Sequence, residues 1–260
     1  MRVSSSSQMP CYVTDLMRGL SGARGWVLGA ACWALFTPAL AGAAGPSAPV
    51  RAAGASAPAE VSADQLARAL QKKYDAIKDF TADFVHAYEG GVLKTRITER
   101  GRVLIKKPGK MRWEYSAPEE KLFVSDGLKI YSYIPQDKQV IVGSIPQGDE
   151  AATPTLFLSG KGDLTRDFTP SLVDLMPGLP PGTRALKLAP KSPQRDYDWL
   201  ILAVDPDSLA IRGLATVDAQ GGTSTFSFTH LQENVGLSDK EFTFKIPRGI
   251  DIVKDSTSRR

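Results

Sequence analysis

Two hydrophobic periods divide the chain. Leu66, Leu70, Tyr74 and Ile77 recur at helical spacing, which predicts one amphipathic helix over residues 62–78. Ser62, with Gln65 three residues on, fits a capping box at its start. From Phe80 the period falls to two. Phe80, Ala82, Phe84, His86 and Tyr88 share one face, opposite Thr81, Asp83, Val85, Ala87 and Glu89. Glu89-Gly90-Gly91 turns the chain into a second strand from Leu93 to Lys107. Leu93, Thr95, Ile97, Val103 and Ile105 lie on one face of it, and Gly101 is expected at a bulge or bend.

The stretch from Gly101 to Ile145 reads as consecutive strands. Pro108-Gly109, Ala117-Pro118, Asp126-Gly127 and Pro135-Gln136-Asp137 are the turn signals between them. Asp126-Gly127 predicts a type I′ hairpin turn. Residues 122–124 (LFV) and 140–142 (VIV) are apolar on both faces, whereas an antiparallel sheet with one wet face alternates. Something apolar must therefore lie against each face here.

Thr153-Pro154 fit the N-cap and first residue of a short helix carrying Leu156, Phe157 and Leu158, closed by Gly160. That segment is either a core helix or a movable flap. Residues 169–182 read as loop. Strands return as ALKLAP, YDWLILAVDP, AIRGLATVDA and TSTFSFTH, with EFTFKIP last. About eleven strands in one domain at this spacing suit an all-β sandwich or barrel.

Composition narrows the class. The chain has 260 residues, 42% hydrophobic and 23% charged, ordinary for a globular protein. Its formal charge of +4 comes from basic residues scattered among nearly as many acids. No nucleic-acid footprint results. At the N-terminus, Arg18 and Arg24 precede a mostly apolar run and then the small residues AGAAG. This reads as a cleavable signal peptide over residues 1–43. The alternative is a membrane anchor, but the run is short for a span and contains Pro38. An Ala/Pro-rich linker follows at 44–61, then the domain at 62–253 and a polar tail at 254–260. Cys11 and Cys32 both precede the cleavage site. LGAAC resembles a lipoprotein-processing site, yet the apolar run continues through Trp33, Leu35 and Phe36. The mature chain is thus expected to be exported and soluble, without disulfide or lipid anchor.

Candidate chemistry is sparse. The only histidines are His86 and His230, each expected as a solvated or hydrogen-bonded strand residue. Without mature cysteines no zinc cluster forms. No G-x-S-x-G elbow occurs, and SGKGD at 159–163 lacks the glycine and Ser/Thr of a phosphate loop. The reading is a binding protein for an apolar ligand, with no enzyme activity, metal or cofactor.

The order of segments carries a resemblance. A helix is followed by FTADF, KKPGKMRWEY, LFVSDG, KIYSYIPQDKQV, ATPTLFLSG and EFTFKIPRGIDIV. This resembles the LolA family of outer-membrane lipoprotein carriers, across residues 62–253. The resemblance implies a mainly β fold, an unclosed antiparallel half-barrel with helices covering its concave apolar face. It implies a periplasmic carrier that takes lipoproteins from an inner-membrane ABC transporter and delivers them to an outer-membrane receptor, acting as a monomer. Acyl chains would occupy a cavity, with Phe84, Met111, Trp113, Phe123, Val124, Ile130, Tyr131, Tyr133, Val142, Leu156, Phe157 and Leu158 as lining or mouth candidates. Strand parity leaves two consistent inward sets. The family typically has an arginine before the strand's proline that latches the lid. Lys107 stands there in this chain, which predicts a weaker latch; Arg112 is the alternative. The rival readings are an outer-membrane receptor of the same fold, which would need Cys32 acylated, a carrier of another lipid, an envelope-stress sensor domain, and an unrecognised hydrolase.

Overall fold

The computed structural model describes residues 61–91, 95–145, 157–160, 162–192, 197–217 and 221–254. The signal peptide, both cysteines, nearly all of the linker, Leu93, Thr153-Pro154, Leu156 and all but the first residue of the polar tail lie outside these.

Helix α1 (Ala63–Ala76) begins as its sequence predicts. Ser62 Oγ accepts from Gln65 N at 3.2 Å, and Gln65 Oε1 accepts from Ser62 N at 2.9 Å. Two of the orphan N–H groups at this helix start are thereby satisfied. Ser62→Ala is expected to cost about 1 kcal/mol of stability, read from a denaturant midpoint at unchanged slope.

The strands are β1 (Asp79–Glu89), β2 (Arg96–Lys106), β3 (Lys110–Ala117), β4 (Lys121–Asp126), β5 (Lys129–Ile134), β6 (Gln139–Ser144), β7 (Phe168–Val173), β8 (Arg184–Pro190), β9 (Trp199–Val204), β10 (Ile211–Val217), β11 (Thr223–Glu233) and β12 (Asp251–Lys254). A second helix, α2 (Leu164–Asp167), precedes β7. The strands form a single 12-stranded sheet in the order β12-β6-β5-β4-β3-β2-β1-β11-β10-β9-β8-β7. Its two edges do not pair with each other, so the sheet is unclosed.

Four details differ from expectation. The sheet is mixed, because β12 runs parallel to β6. Residues 169–173, expected as loop, are strand: β7 (Phe168–Val173) is an edge strand, where Pro170 needs no ladder N–H on its open side. EFTFKIP is no strand. Asp239–Phe242 form a 3₁₀ helix, and the pairing segment comes later, at β12. The hairpin between β4 and β5 also differs in turn type. Positive φ falls on Gly127 alone of its two loop residues, the pattern of a II′ turn with glycine first.

Register fixes the two faces. On the inner face, Leu66, Leu70 and Tyr74 of α1 pack with Phe84, Val103, Ile105, Trp113, Leu186, Leu202 and Phe228 in one buried core. The outer face carries two further covers. Leu179, with Leu175 and Met176, lies over Ala185, Ile201, Ala203 and Ala215. At the other end the 3₁₀ helix packs on β3 and β4, Phe242 is buried, and Phe244 meets Tyr131 and Tyr133 at 5.6 Å between ring centroids. Both faces of LFV are thus occupied, one by the core through Phe123 and one by this C-terminal strap.

Candidate functional site

Phe84, Met111, Trp113, Phe123 and Ile130 fall together on the inner face. Trp113 sits opposite Val103 on one side and Phe123 on the other; Ile130 pairs with Ser125, which pairs with Met111. Their rings interlock. Phe84 meets Trp113 at 5.2 Å and Tyr115 at 4.9 Å, both edge-to-face. Trp113 meets Phe226 at 5.4 Å, and Tyr115 meets Phe123 at 5.6 Å. Edge-to-face packing at these separations adds to the stabilisation from burial.

The roof over this lining has two parts, α1 and the helical end Phe157–Leu158 with its turn at Ser159–Gly160. Tyr74 ties them together. Its ring stacks on Phe157 at 5.0 Å, and its hydroxyl donates to the carbonyl of Leu158. Burial, with the charge of Glu233 adding to it, raises the Tyr74 pKa well above the ordinary phenol value, so this donor keeps its proton.

Lys107 fastens the roof to the sheet. It lies in the three-residue turn between β2 and β3. Its ammonium donates to the carbonyl of Tyr74, at the C-terminal end of α1, and rests 3.6 Å from the centroid of the Tyr74 ring. A cation is favoured at both places, by the helix dipole and by the ring quadrupole. Its stem packs against Gly160, where an added Cβ would lie 2.7 Å from Lys107 Cδ. Next to it, Gly109 N donates to Ser159 O at 2.9 Å. The turn therefore holds both parts of the roof. Partial burial lowers the Lys107 pKa to about 8, against the opposing pull of Asp75.

The sign of the resulting pH effect follows from linkage. Between pH about 8 and about 10.4, the ordinary lysine value, Lys107 of the unfolded chain holds more proton than Lys107 in the fold. The folded form therefore gains on the unfolded form as pH rises through this window, and the burial cost of the ammonium is complete below it. An Nζ resonance of Lys107 is expected to titrate near pH 8, and this step should vanish in Lys107→Arg. A midpoint above pH 10 would contradict the buried placement.

The remaining candidates lie elsewhere. Val124, Tyr131, Tyr133 and Val142 occupy the outer face, since Arg112 pairs with Val124, Val124 with Tyr131, and Tyr131 with Val142. Arg112 also points outward. It bonds Glu114 Oε1 at 2.6 Å and the carbonyl of Glu241 at 3.2 Å, so it holds the C-terminal strap and does not touch the roof.

A buried polar cluster went unseen in the sequence. His86 Nδ1 lies 3.0 Å from Glu99 Oε2, and its Nε2 lies 2.8 Å from Ser224 Oγ. Lys121 Nζ reaches Glu99 Oε1 at 2.6 Å. His86 also stacks on Phe226 at 4.2 Å. Burial acts to raise the Glu99 pKa, but the bonds and charges of His86 and Lys121 together outweigh it and leave the carboxyl lowered. Burial and the Glu99 charge both raise the Tyr115 pKa. Ser224, His86 and Glu99 follow the contact order of a nucleophile relay. However, Ser224 sits within a central strand whose amides serve ladders to β1 and β10, and Lys121 takes up the carboxylate. The cluster reads as a structural pin. It lies seven residues along β1 from the latch end, about 23 Å at strand rise. One sequence signal could have found half of it. In the hairpin set by Glu89 opposite Arg96, His86 stands opposite Glu99.

A small apolar pocket opens under the roof's edge, lined by Tyr74, Ile77, Phe80, Leu158, Ile211, Phe228, Leu231 and Glu233. Glu233 pairs there with Lys73 of α1 at 2.9 Å. The site is thus an apolar, aromatic-lined wall covered by α1 and residues 157–160, whose side chains pack directly against it.

Comparison with known proteins shows the family. Residues 75–245 match the family described as outer membrane lipoprotein carrier protein LolA. The outer-membrane lipoprotein carrier protein of Bordetella avium is 30% identical over 198 residues, covering 76% of this chain and 91% of its own length. Its counterpart from Chromohalobacter salexigens is 32% identical over 195 residues, covering 74% and 87%. That from Legionella pneumophila is 31% identical over 198 residues, covering 75% and 93%. The chain belongs to the LolA family of outer-membrane lipoprotein carriers, a family of transport proteins and not of enzymes.

Proposed function

We propose that this protein is a periplasmic carrier that shields the acyl chains of lipoproteins between the inner and outer membranes. Its cargo would come from an inner-membrane ABC transporter and pass to an outer-membrane receptor. The observation that carries this reading is the aromatic inner wall beneath a roof fastened to the sheet at Lys107. An acyl chain in water costs roughly 0.8 kcal/mol per exposed CH₂. Exchange from bilayer to an apolar wall is nearly neutral, so one protein can both load and release.

Loading requires α1 and residues 157–160 to lift, because their side chains fill the space against the wall. Tyr74 and Phe157 then give up their packing to the acyl chain. Lysine in the latch keeps the charge but lacks the planar fork of arginine, and its burial penalises the charged form. Opening is accordingly easier than with arginine.

Two measurements test this. Purification from cells that co-express the transporter and a lipoprotein should yield acylated peptides by mass spectrometry; persistent emptiness would count against the carrier reading. Lys107→Leu should alter transfer to an acceptor membrane by about tenfold, the worth of one charged hydrogen bond. Unchanged transfer would remove Lys107 from the latch.

A further inference from the structure

Trp113 is 4% exposed, and its buried Nε1–H finds no acceptor among the described residues. Nearly all buried donors in folded proteins are paired, because an unpaired one forfeits its bonds to water. Around the Trp113 ring system are other rings. Phe84 and Phe226 lie edge-to-face at 5.2 and 5.4 Å, and Phe228 is tilted at 6.4 Å. A ring face offers an N–H only a weak contact. Trp113 lies two residues along β3 from Met111, beside the turn that carries Lys107, so it sits about 7 Å inward of that end at strand rise.

An acyl anchor brings the complementary problem. Its ester carbonyls are acceptors without donors, and burial in an apolar wall leaves them unpaired. We propose that the loaded protein pairs Trp113 Nε1–H with an ester carbonyl of the acyl anchor. This rests on the carrier reading and deepens it. The bond satisfies both groups at once and sets how far the chains enter. It favours ester-linked chains over purely hydrocarbon ones.

A cycle of two ligands and two proteins tests the pairing. Dioctanoylglycerol has ester carbonyls; dioctylglycerol carries ether links in their place. Each displaces a fluorescent apolar dye from wild-type protein and from Trp113→Phe, which keeps a ring and loses the donor. The substitution should weaken the ester ligand about 5–10-fold and the ether ligand less than about 2-fold, the size of one hydrogen bond. Equal weakening of both ligands, or of neither, would overturn the proposal while leaving the carrier reading intact. Failure of folded wild type to bind either ligand would overturn both. Should Trp113→Phe not fold, wild type gives the answer alone. Its Trp113 indole N–H resonance should move downfield with the ester and stay with the ether; the same shift with both ligands would refute the pairing.

Discussion

Gly101→Ala is expected to destabilise the protein by about 3–5 kcal/mol, among the largest effects of any single substitution here. A Cβ at this position would lie 2.0 Å from the carbonyl oxygen of Glu114 and 2.7 Å from Phe84 Cζ. Neither neighbour can yield cheaply. The carbonyl belongs to the adjacent strand, where the β2–β3 register shifts between Arg100 and Gly101. The ring belongs to Phe84, whose position is fixed by Trp113, Tyr115 and Phe226. Opening the strands would therefore also displace the inner wall. The check is the denaturant midpoint beside that of Gly90→Ala, where the nearest contact to an added Cβ is 3.6 Å and a change within about 0.5 kcal/mol is expected. Comparable losses for the two variants would contradict the close approach.

Glu99→Ala is expected to cost a similar amount, about 3–5 kcal/mol, because it leaves charge behind and not merely space. Lys121 and His86 both lose their partner, and the histidine's other nitrogen is already committed to Ser224. Adding Lys121→Met should recover much of the loss, since removing both ends of a buried pair costs far less than removing one. The pH dependence has a definite sign. The Glu99 pKa is lowered on folding, so its contribution is complete above the ordinary carboxylate range and is lost as pH falls through the folded value. Acid unfolding should flatten in Glu99→Gln, measured as stability against pH beside wild type. An unchanged slope would mean that Glu99 is not the buried partner.

Much of the fold was legible in local pattern. The Ser62 capping box, the shared face of Phe80, Ala82, Phe84 and His86 and the bulge at Gly101 need only nearest neighbours, and the structure shows each; which face is inward did not follow from them. What failed needed partners distant in sequence. Phe242 and Phe244 alternate like a strand, but alternation arises in any extended segment with one buried face, and this one lies across a sheet without pairing into it. β7 was hidden by Pro170, which an edge strand tolerates. The site divided along the same line. Lys107 stood out through the order of motifs around its proline, whereas its contact with Tyr74 spans 33 residues. Val124, Tyr131, Tyr133 and Val142 were indistinguishable from wall residues, because they are apolar or aromatic strand positions like those of the wall and none is fully exposed. Ser224 and Lys121 met His86 and Glu99 only through tertiary register.

Neighbouring residues on β4 give the most direct test of the central claim, that the inner face under the roof receives acyl chains. Phe123 faces the roof and Val124 faces the strap, so they differ by one residue in sequence and by a whole face in space. A photoreactive amino acid is placed at each position in turn, and the protein is loaded with a radiolabelled acylated lipoprotein and irradiated. Acyl label is expected on the chain at position 123 and at background level at position 124. Equal labelling at both positions, or labelling at 124 alone, would contradict the assignment of the inner face as the carrier's binding wall.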